Sequence, residues 1–389
     1  MMMIVGVCAF CAGDSVGSPF ATRVVEYRPA PGQFVMLPSA EGIRYNDPSK
    51  ALGPPQGGGT VVAGNAKAVT LGGFGGSITL GFDHTIQDRA CNPMGLDAIV
   101  FGNAVWVSGN PLRRWGEAGV IEISRDVNGN GIADDPWYVV PGSSLPSAPV
   151  NVWRSTMWDN NASTPTPPAN LSWYPAPPVY PSWPGAYTTS AYELPSVFAG
   201  LILENSPTAP AGEEAYWGHA DVSPTLLLGD MSGASGDPLR DNRLTDPEDA
   251  PGMSPEMFYT WPDDPREVGI TAGSGGGDAF DIAWAVDPVT GAPAGLDGFD
   301  FIRISTATDM VSGVFGERSV EVSGVAEVRS IYALSGDANR DERVDFLDLN
   351  IVLGSFGSAG CCVPGDVNCD QRVDFLDLNI VLGAFGSVL

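Results

Sequence analysis

The sequence is poor in basic side chains and in long apolar runs, and each shortage excludes a class of protein. Nineteen lysines and arginines face 46 acidic residues, giving a formal net charge of −27. So acidic a chain repels nucleic-acid phosphates and anionic lipids and attracts cations. No stretch approaches the roughly 18 apolar residues that a membrane helix needs. We therefore expect no nucleic-acid partner and no membrane span.

Histidine is also scarce, with only His84 and His219 in the chain. A nucleophilic relay needs a base that a carboxylate orients beside a Ser or Cys, and no G-x-S-x-G stretch precedes a helix. Both histidines are expected to be structural. A glycoside hydrolase needs two facing carboxylates, and the sequence marks no pair, so the catalytic residues stay unknown. The candidates for such a pair are Glu213, Glu214, Asp278, Asp281, Asp300, Glu317 and Glu321.

The first residues, 1–21, begin with MMMIVGVCAFCAG, an apolar run too short to span a bilayer. This run is typical of the end of a secretory signal, and the alternative is a buried first strand. We expect a secreted or cell-surface protein. In an oxidising compartment a bridge from Cys361 or Cys362 to Cys369 fits, and the spacing does not match a zinc site. The connectivity of these three cysteines and Cys91 stays open.

The chain contains 49 glycines and 34 prolines, which suit short strands joined by turns. Alternating stretches such as GSITLGF, AGVIEISRD and FDFIRISTA are typical of half-buried strands. The predicted fold is mainly β, with a jelly-roll-like β-sandwich over residues 22–328. An irregular insert, rich in proline and aromatics, is expected at about 155–265, and a small α-helical domain at 336–389.

The insert carries aromatic rings among its prolines, and such rings can stack on the faces of sugars. They predict a ligand-binding or glycan-binding surface, and the alternative is that they pack over the sandwich. The predicted ligand-binding residues of this surface are Trp158, Trp173, Tyr174 and Trp183.

The C-terminus contains a repeat, GDANRDERVDFLDLNIVLGSFG from Gly336 and GDVNCDQRVDFLDLNIVLGAFG from Gly365. Oxygen-bearing side chains recur at loop positions 1, 3, 5, 9 and 12, and a carbonyl is available at position 7. Ca²⁺ takes 6–8 oxygen ligands from loops of this spacing. The predicted calcium ligands are Asp337, Asn339, Asp341, the Arg343 carbonyl, Asp345 and Asp348, and then Asp366, Asn368, Asp370, the Arg372 carbonyl, Asp374 and Asp377.

After each loop, apolar residues spaced by three and four predict a short helix that ends at Gly357 or Gly386. The helices are expected to pack on each other, Val344 and Val373 to pair between the loops, and folding to require calcium. A solvated acidic tail is the alternative. The expected buried faces are Phe346, Leu349, Leu353 and Phe356 in the first helix, and Phe375, Leu378, Leu382 and Phe385 in the second.

This repeat resembles the type I dockerins, whose two units each combine a calcium loop with one helix. The resemblance covers residues 336–389 and implies calcium binding and docking onto a cohesin receptor; most carriers in that family degrade polysaccharides or assist such enzymes. Phe346-Leu347 and Phe375-Leu376 depart from the small polar residues usual at loop positions 10 and 11, and basic residues late in the helix are absent. An intramolecular cap or an unrelated partner therefore stays open.

Within the body, DVNGNGIADD has the spacing of another calcium loop. Its candidate ligands are Asp126, Asn128, Asn130, the Ile132 carbonyl and Asp134. Position 12 is Trp137 instead of an acid, and Asn-Gly pairs also form hairpin turns without a metal, so both readings stay open. Other strings of the body, such as EYRPAPGQFV, resemble a group of secreted or surface bacterial proteins.

Together these features favour a secreted calcium-binding protein. Its β-sandwich would bind a ligand or glycan without catalysis, and its dockerin-type module would bind a cohesin-like or cell-surface partner. The alternatives are a polysaccharide-degrading glycoside hydrolase and a structural protein of the cell envelope.

Overall fold

The structure is a computed structural model, and it describes part of the chain. The described residues are 17–30, 35, 42–73, 75–89, 92–111, 113–142, 152–157, 187–192, 203–204, 218–228, 254–265, 269–271, 273–306, 319–329, 336–338, 343–359, 363, 365–368 and 372–387. The chain divides into two compact units, one of them Ser18–Arg329 and the other containing Ser330–Leu389.

The prediction of a mainly β body is confirmed. The described strands are β1 Arg23–Arg28, β2 Val69–Thr70, β3 Ser77–Gln87, β4 Ala98–Phe101, β5 Val105–Trp106, β6 Arg113–Trp115, β7 Gly119–Ser124, β8 Trp137–Val140, β9 Val152–Met157, β10 Tyr187–Tyr192, β11 Leu203–Glu204, β12 His219–Ala220, β13 Asp278–Phe280, β14 Gly298–Ser305, β15 Glu321–Val322 and β16 Gly324–Glu327. The α-helices are α1 Pro255–Tyr259, α2 Phe346–Ser355 and α3 Phe375–Ala384.

The largest sheet of the body has six antiparallel strands in the order β1-β3-β14-β7-β12, with β8 also paired to β7. Alternation along β14 divides its two faces: Ile302 and Ile304 enter the main core, whereas Arg303 lies on the other face with Glu122. A smaller sheet, β13-β4-β16, contributes Val100, Phe280 and Val325 to the same core. The two sheets therefore share one apolar interior.

Strand β4 is buried on both of its faces. Ala98 and Val100 belong to the main core, while Ile99 and Phe101 belong to a second apolar cluster that also contains Phe258 of α1. A strand covered on both sides shows a continuous apolar run instead of alternation, as AIVF does here.

The region 155–265, expected to be an irregular insert, supplies regular elements to the body. Strand β12 pairs with β7 at the edge of the large sheet, and α1 fills the second cluster with Phe258 and Tyr259. Residues 158–186, which contain the aromatic ligand-binding candidates, lie outside the described residues. Among the helices in the described ranges, none has the length and apolarity to cross a membrane.

Candidate metal centre

Both C-terminal helices begin at a carboxylate that caps them. Asp345 accepts a hydrogen bond from the Leu347 N–H at 2.7 Å, and Asp374 accepts one from Leu376 at the same distance. Three residues after each cap, Asp348 and Asp377 accept from the capping residue's own N–H, at 2.8 Å in both cases. These are reciprocal capping boxes, so the acids at loop positions 9 and 12 fix where the predicted helices start.

The acid at position 12, Asp348 or Asp377, is fully buried in both loop–helix repeats. In the second unit Asp377 also accepts from the N–H of Val367 at 2.9 Å and of Asn368 at 3.2 Å. Its carboxylate therefore holds the beginning of the loop against the beginning of the helix. Carboxylate oxygens have two lone pairs each, so an oxygen that accepts from a backbone N–H can still coordinate a cation.

The described residues include most of the predicted ligands. In the first loop they are Asp337, Arg343, Asp345 and Asp348; in the second they are Asp366, Asn368, Arg372, Asp374 and Asp377. Asn339, Asp341 and Asp370 lie outside the described residues, as do all six cysteines. The donor set consists of oxygens, which suits a hard cation such as Ca²⁺ and does not suit zinc.

The two loop–helix units contact each other through equivalent backbone bonds, and the expected pairing of Val344 with Val373 is wrong. Val344 exchanges hydrogen bonds with Gly386 and Ser387, after α3, while Val373 bonds to Gly357 and Ser358, after α2. Each loop is therefore joined to the end of the other unit's helix. Because the N–H and C=O of both valines already have these partners, they are not hydrogen-bonded to each other as a strand pair.

The predicted buried face of the helices is also wrong. The core of this unit consists of Val344, Val352, Val373 and Val381, all with no exposed surface, and Leu349 and Leu378 pack partly against it. Ile351 and Ile380 are half-buried, whereas eight other large apolar side chains of the repeat are exposed. They are Phe346, Leu347, Leu353, Phe356, Phe375, Leu376, Leu382 and Phe385, with exposed fractions between 40 and 69 %.

The exposed rings form two equivalent pairs. Phe346 lies edge-on to Phe385 and Phe356 lies edge-on to Phe375, with ring centroids 5.0 Å apart in both pairs. Each pair joins the start of one helix to the end of the other. We call these eight exposed side chains the apolar surface of the C-terminal unit. Large apolar side chains exposed in such number often mark an interaction site.

The Asx-rich stretch of the body forms the connection between β7 and β8, which pair from Ser124 with Trp137 onward. The Asp126 carboxylate accepts from the N–H of Gly131 at 2.7 Å and of Asn130 at 3.0 Å, and the Asn130 amide lies 3.3 Å from Asp134. The loop thus gathers three of its five predicted ligands, together with Asn128, whose side chain accepts from Asn130 at 2.9 Å. The remaining candidate, the Ile132 carbonyl, lies in the same turn.

Asp300 on β14 fixes the start of this loop. Its carboxylate accepts from the Asp126 N–H at 2.7 Å and from the Thr85 hydroxyl at 2.6 Å, and it pairs with the Arg125 guanidinium. Asp300, a candidate catalytic acid in the sequence, therefore binds the start of the β7–β8 loop to β14.

An open pocket of about 260 Å³ lies between this loop and the large sheet. Its lining includes Ile132 from the loop, Trp137 from β8 and Glu26 from β1. Arg303 lies over the Trp137 ring, 4.3 Å from its centroid, and binds Glu122 through two hydrogen bonds of 2.7 Å. Among the described residues that line the pocket, Glu26 is the one carboxylate, whereas glycoside hydrolysis requires a facing pair.

The two histidines occupy different environments. His84 lies within β3 and binds Asp83 at 2.7 Å and Glu327 at 3.1 Å, and the hydrogen bond to Glu327 raises its pKa above the ordinary value. His219 is fully buried in β12, and burial lowers its pKa to about 4. Contacts within the body thus hold His84, and burial keeps His219 from solvent; their structural role stays a prediction.

Among the other acidic candidates, Glu213, Glu214 and Glu317 lie outside the described residues. Asp281 caps a short helical turn by accepting from the Ala283 N–H at 2.7 Å. Asp278 is buried in β13, where burial raises its pKa to about 8, and it accepts from the Val222 N–H at 2.9 Å. Sequence reasoning missed the buried Asp97 and Asp221, because nothing in a local sequence marks an acid that distant backbone donors will surround.

Neither the known protein-family models nor the curated proteins compared with the chain give a match.

Proposed function

We propose that this chain is a secreted or cell-surface protein that uses calcium to order a C-terminal assembly module of the dockerin type. The module would dock onto a receptor protein through its apolar surface and thereby anchor the β-rich body. The observation that carries this proposal is the coincidence, in both units, of a buried position-12 carboxylate with exposed aromatic rings on the outer side of the same helix.

Calcium accounts for the acids. Asp348 and Asp377 lie without exposure in a unit whose buried apolar core, among the described residues, consists of four valines. So small a core seldom stabilises a domain of this length, and small domains commonly depend on a metal or a disulfide. A divalent ion in each loop would neutralise the clustered carboxylates and join loop to helix, since metal binding free energy becomes folding free energy in such domains.

A protein receptor accounts for the rings. A soluble domain that buried its phenylalanines would be more stable alone, yet here valines occupy the interior and phenylalanines the surface. Aromatic side chains are enriched at the centres of protein interfaces. Phe346 and Phe375 occupy loop position 10 in the two repeats, where dockerin-type modules present residues to their receptor. We therefore assign the apolar surface to receptor docking.

The body is proposed to be a β-sandwich formed by the six-stranded sheet and the β13-β4-β16 sheet around their shared core. Its ligand-binding role is assigned to the pocket beside the Asx-rich loop, because Trp137 offers a flat ring next to the polar Glu26 and Arg303. Calcium in that loop would fix Ile132 at the pocket wall. Polar ligands with apolar faces, such as glycans, match this lining.

The experiment uses the full chain, first freed of metal with chelator and then titrated with Ca²⁺ by calorimetry. We expect uptake of calcium by the two C-terminal loops and binding to immobilised type I cohesin domains that appears only with calcium. The double variant Phe356→Ala with Phe375→Ala should lose this binding and keep its calcium. Val289→Ala, which trims an apolar side chain 80 % exposed on the body, is the matched control. Absence of calcium uptake would refute the module assignment, and receptor binding that survives the double variant would refute the docking surface.

A further inference from the structure

A group of acids from distant chain segments lies inside the body, and none of its members belongs to the Asx-rich loop. Glu117 precedes β7, Asp221 follows β12 and Glu321 begins β15, and each offers a carboxylate oxygen within 4.8 Å of the other two. Asp221 and Glu321 are buried and Glu117 is partly buried. Residues far apart in the sequence are thus brought to one point of the fold.

The fold holds Asp221 in place by its carboxylate. One oxygen accepts from the N–H of Asn103 at 2.8 Å and of Ala104 at 3.0 Å, and the other accepts from the N–H of Glu321 at 3.1 Å. Gly102 lies so close that a Cβ there would stand 2.2 Å from the Asp221 carboxylate. The protein backbone is therefore arranged to position a negative charge.

Glu321 has one carboxylate oxygen that the described residues leave without a hydrogen bond. Its Oε1 accepts from the Ser319 hydroxyl at 2.9 Å, whereas its Oε2 is buried and has no partner among the described residues. The whole residue is 3 % exposed. An unsatisfied buried carboxylate oxygen is costly, and a group that neutralises it would remove that cost.

The electrostatic environment of Glu321 adds to the cost. Burial and the neighbouring charges of Glu117 and Asp221 raise the pKa of Glu321 well above its ordinary value. Two arrangements relieve such repulsion: a proton held on Glu321, or a cation bound between the three acids. Three acids that converge from three chain segments, with one oxygen unsatisfied, offer more oxygen ligands than a single proton requires.

We propose that Glu117, Asp221 and Glu321 form an internal binding site for a hard divalent cation of the calcium type. Carboxylates that bind through one or both oxygens supply such ions with part of their 6–8 ligands. The hydroxyl of Ser319, which bonds Glu321 and Thr70, lies in the same buried network. A bound ion would fasten β15 to the ends of β7 and β12, so its role is to stabilise the body.

The test counts ions in the full chain, with calcium as the probe. Protein freed of metal with chelator is reloaded with Ca²⁺, passed over a sizing column and analysed for calcium per chain, and the melting of the body is followed with and without calcium. We expect Glu321→Gln to bind one calcium fewer than the parent chain. In chelator the variant should melt at a higher temperature than the parent, because a neutral amide removes like-charge repulsion, and calcium should no longer stabilise its body.

Two further variants keep the outcome decisive. Glu117→Gln, at the partly buried side of the site, should also lose one calcium if Glu321→Gln fails to fold. Asp97→Asn is the control: Asp97 belongs to another acidic group, with Asp88 and Asp281, but its oxygens accept from Arg89, Asn92 and Ile282 at 2.9–3.0 Å. It should keep the parent's calcium count.

The result that would overturn the proposal is an unchanged calcium count in both Glu117→Gln and Glu321→Gln, which would assign the site to a shared proton. Asp377→Asn, measured beside them, reports on the C-terminal module alone. If Asp377→Asn loses calcium and the internal variants lose none, the proposed function stands and the internal site is rejected. If the internal variants lose calcium and Asp377→Asn loses none, the internal site stands and the calcium-binding module is rejected.

Discussion

Two glycines that open the C-terminal loops should be irreplaceable, while two glycines inside the helices should not. Gly365 has φ +93°, and a Cβ there would stand 2.9 Å from the Val352 Cα on α2. Gly336 has φ +90°, and its Cβ would stand 3.0 Å from the Val381 Cα on α3. Each loop thus begins in contact with the backbone of the opposite helix, where no flexible side chain can give way.

The expected magnitude for Gly365→Ala has two parts. A residue other than glycine at positive φ costs about 1–3 kcal/mol, and overpacking against a neighbour that cannot move costs about 1–3 kcal/mol more. The unit should therefore lose roughly 2–6 kcal/mol of stability. Gly383→Ala is the matched control, since a Cβ at this position in α3 meets nothing within 4 Å and alanine stabilises a helix by about 0.5–1 kcal/mol relative to glycine.

Hydrogen exchange followed by mass spectrometry measures this in the full chain, because peptides from α2 and α3 report on the C-terminal unit separately from the body. A loss of 2 kcal/mol speeds exchange about thirtyfold. Gly365→Ala should accelerate exchange in both helices, including α2, which belongs to the other loop–helix repeat. Equal effects of Gly365→Ala and Gly383→Ala, or acceleration confined to α3, would refute the crossed contact.

Three further predictions concern the body. The pKa of His84 is raised in the folded state. Its interaction with Glu327 therefore stabilises the body fully below a pH of about 6.5, and this stabilisation is lost as pH rises through the folded-state pKa. The urea midpoint of His84→Gln should vary less between pH 6 and 8.5 than that of the parent. Asp300→Asn weakens the bond to the Asp126 N–H and should lower stability by about 1–3 kcal/mol in urea unfolding. Trp137→Ala should abolish glycan binding on an array and leave the calcium content of the chain unchanged.

Each of these predictions has an outcome that contradicts it. A parallel pH dependence of His84→Gln and the parent would mean that the histidine contributes no linked protonation. An unchanged urea midpoint in Asp300→Asn would show that the Arg125 and Thr85 contacts suffice to hold the hairpin. Glycan binding retained by Trp137→Ala would place the ligand elsewhere on the body.

The sequence predicted the elements that local chemistry determines. Helices α2 and α3 begin where Asp345 and Asp374 cap them and end beside Gly357 and Gly386. The β7–β8 hairpin lies where valines, isoleucines and aromatics flank an Asx-rich turn. These signals depend on residues close together in the chain, so one sequence contains all the information they need.

The buried face of the C-terminal helices could not be predicted in the same way. FLDLNIVLG is apolar on almost every side, so spacings of three and four fit the phenylalanine face and the valine face equally well. Packing decided between them: Val352 and Val381 fit where the opposite loop approaches closely at its glycine, whereas a phenylalanine ring is too large. Close packing of this kind depends on both units at once.

The sequence by itself determined a mainly β body, the start and end of its C-terminal helices and the repeat of their acidic loops, because capping, turn formation and hydrophobic alternation act over a few neighbouring residues. Only the tertiary structure decided that, in the C-terminal unit, four valines are buried while the phenylalanines are exposed, and that in the body Glu117, Asp221 and Glu321 meet. Contacts between distant segments depend on the complete fold, and no local pattern encodes which side chains the fold will bring together.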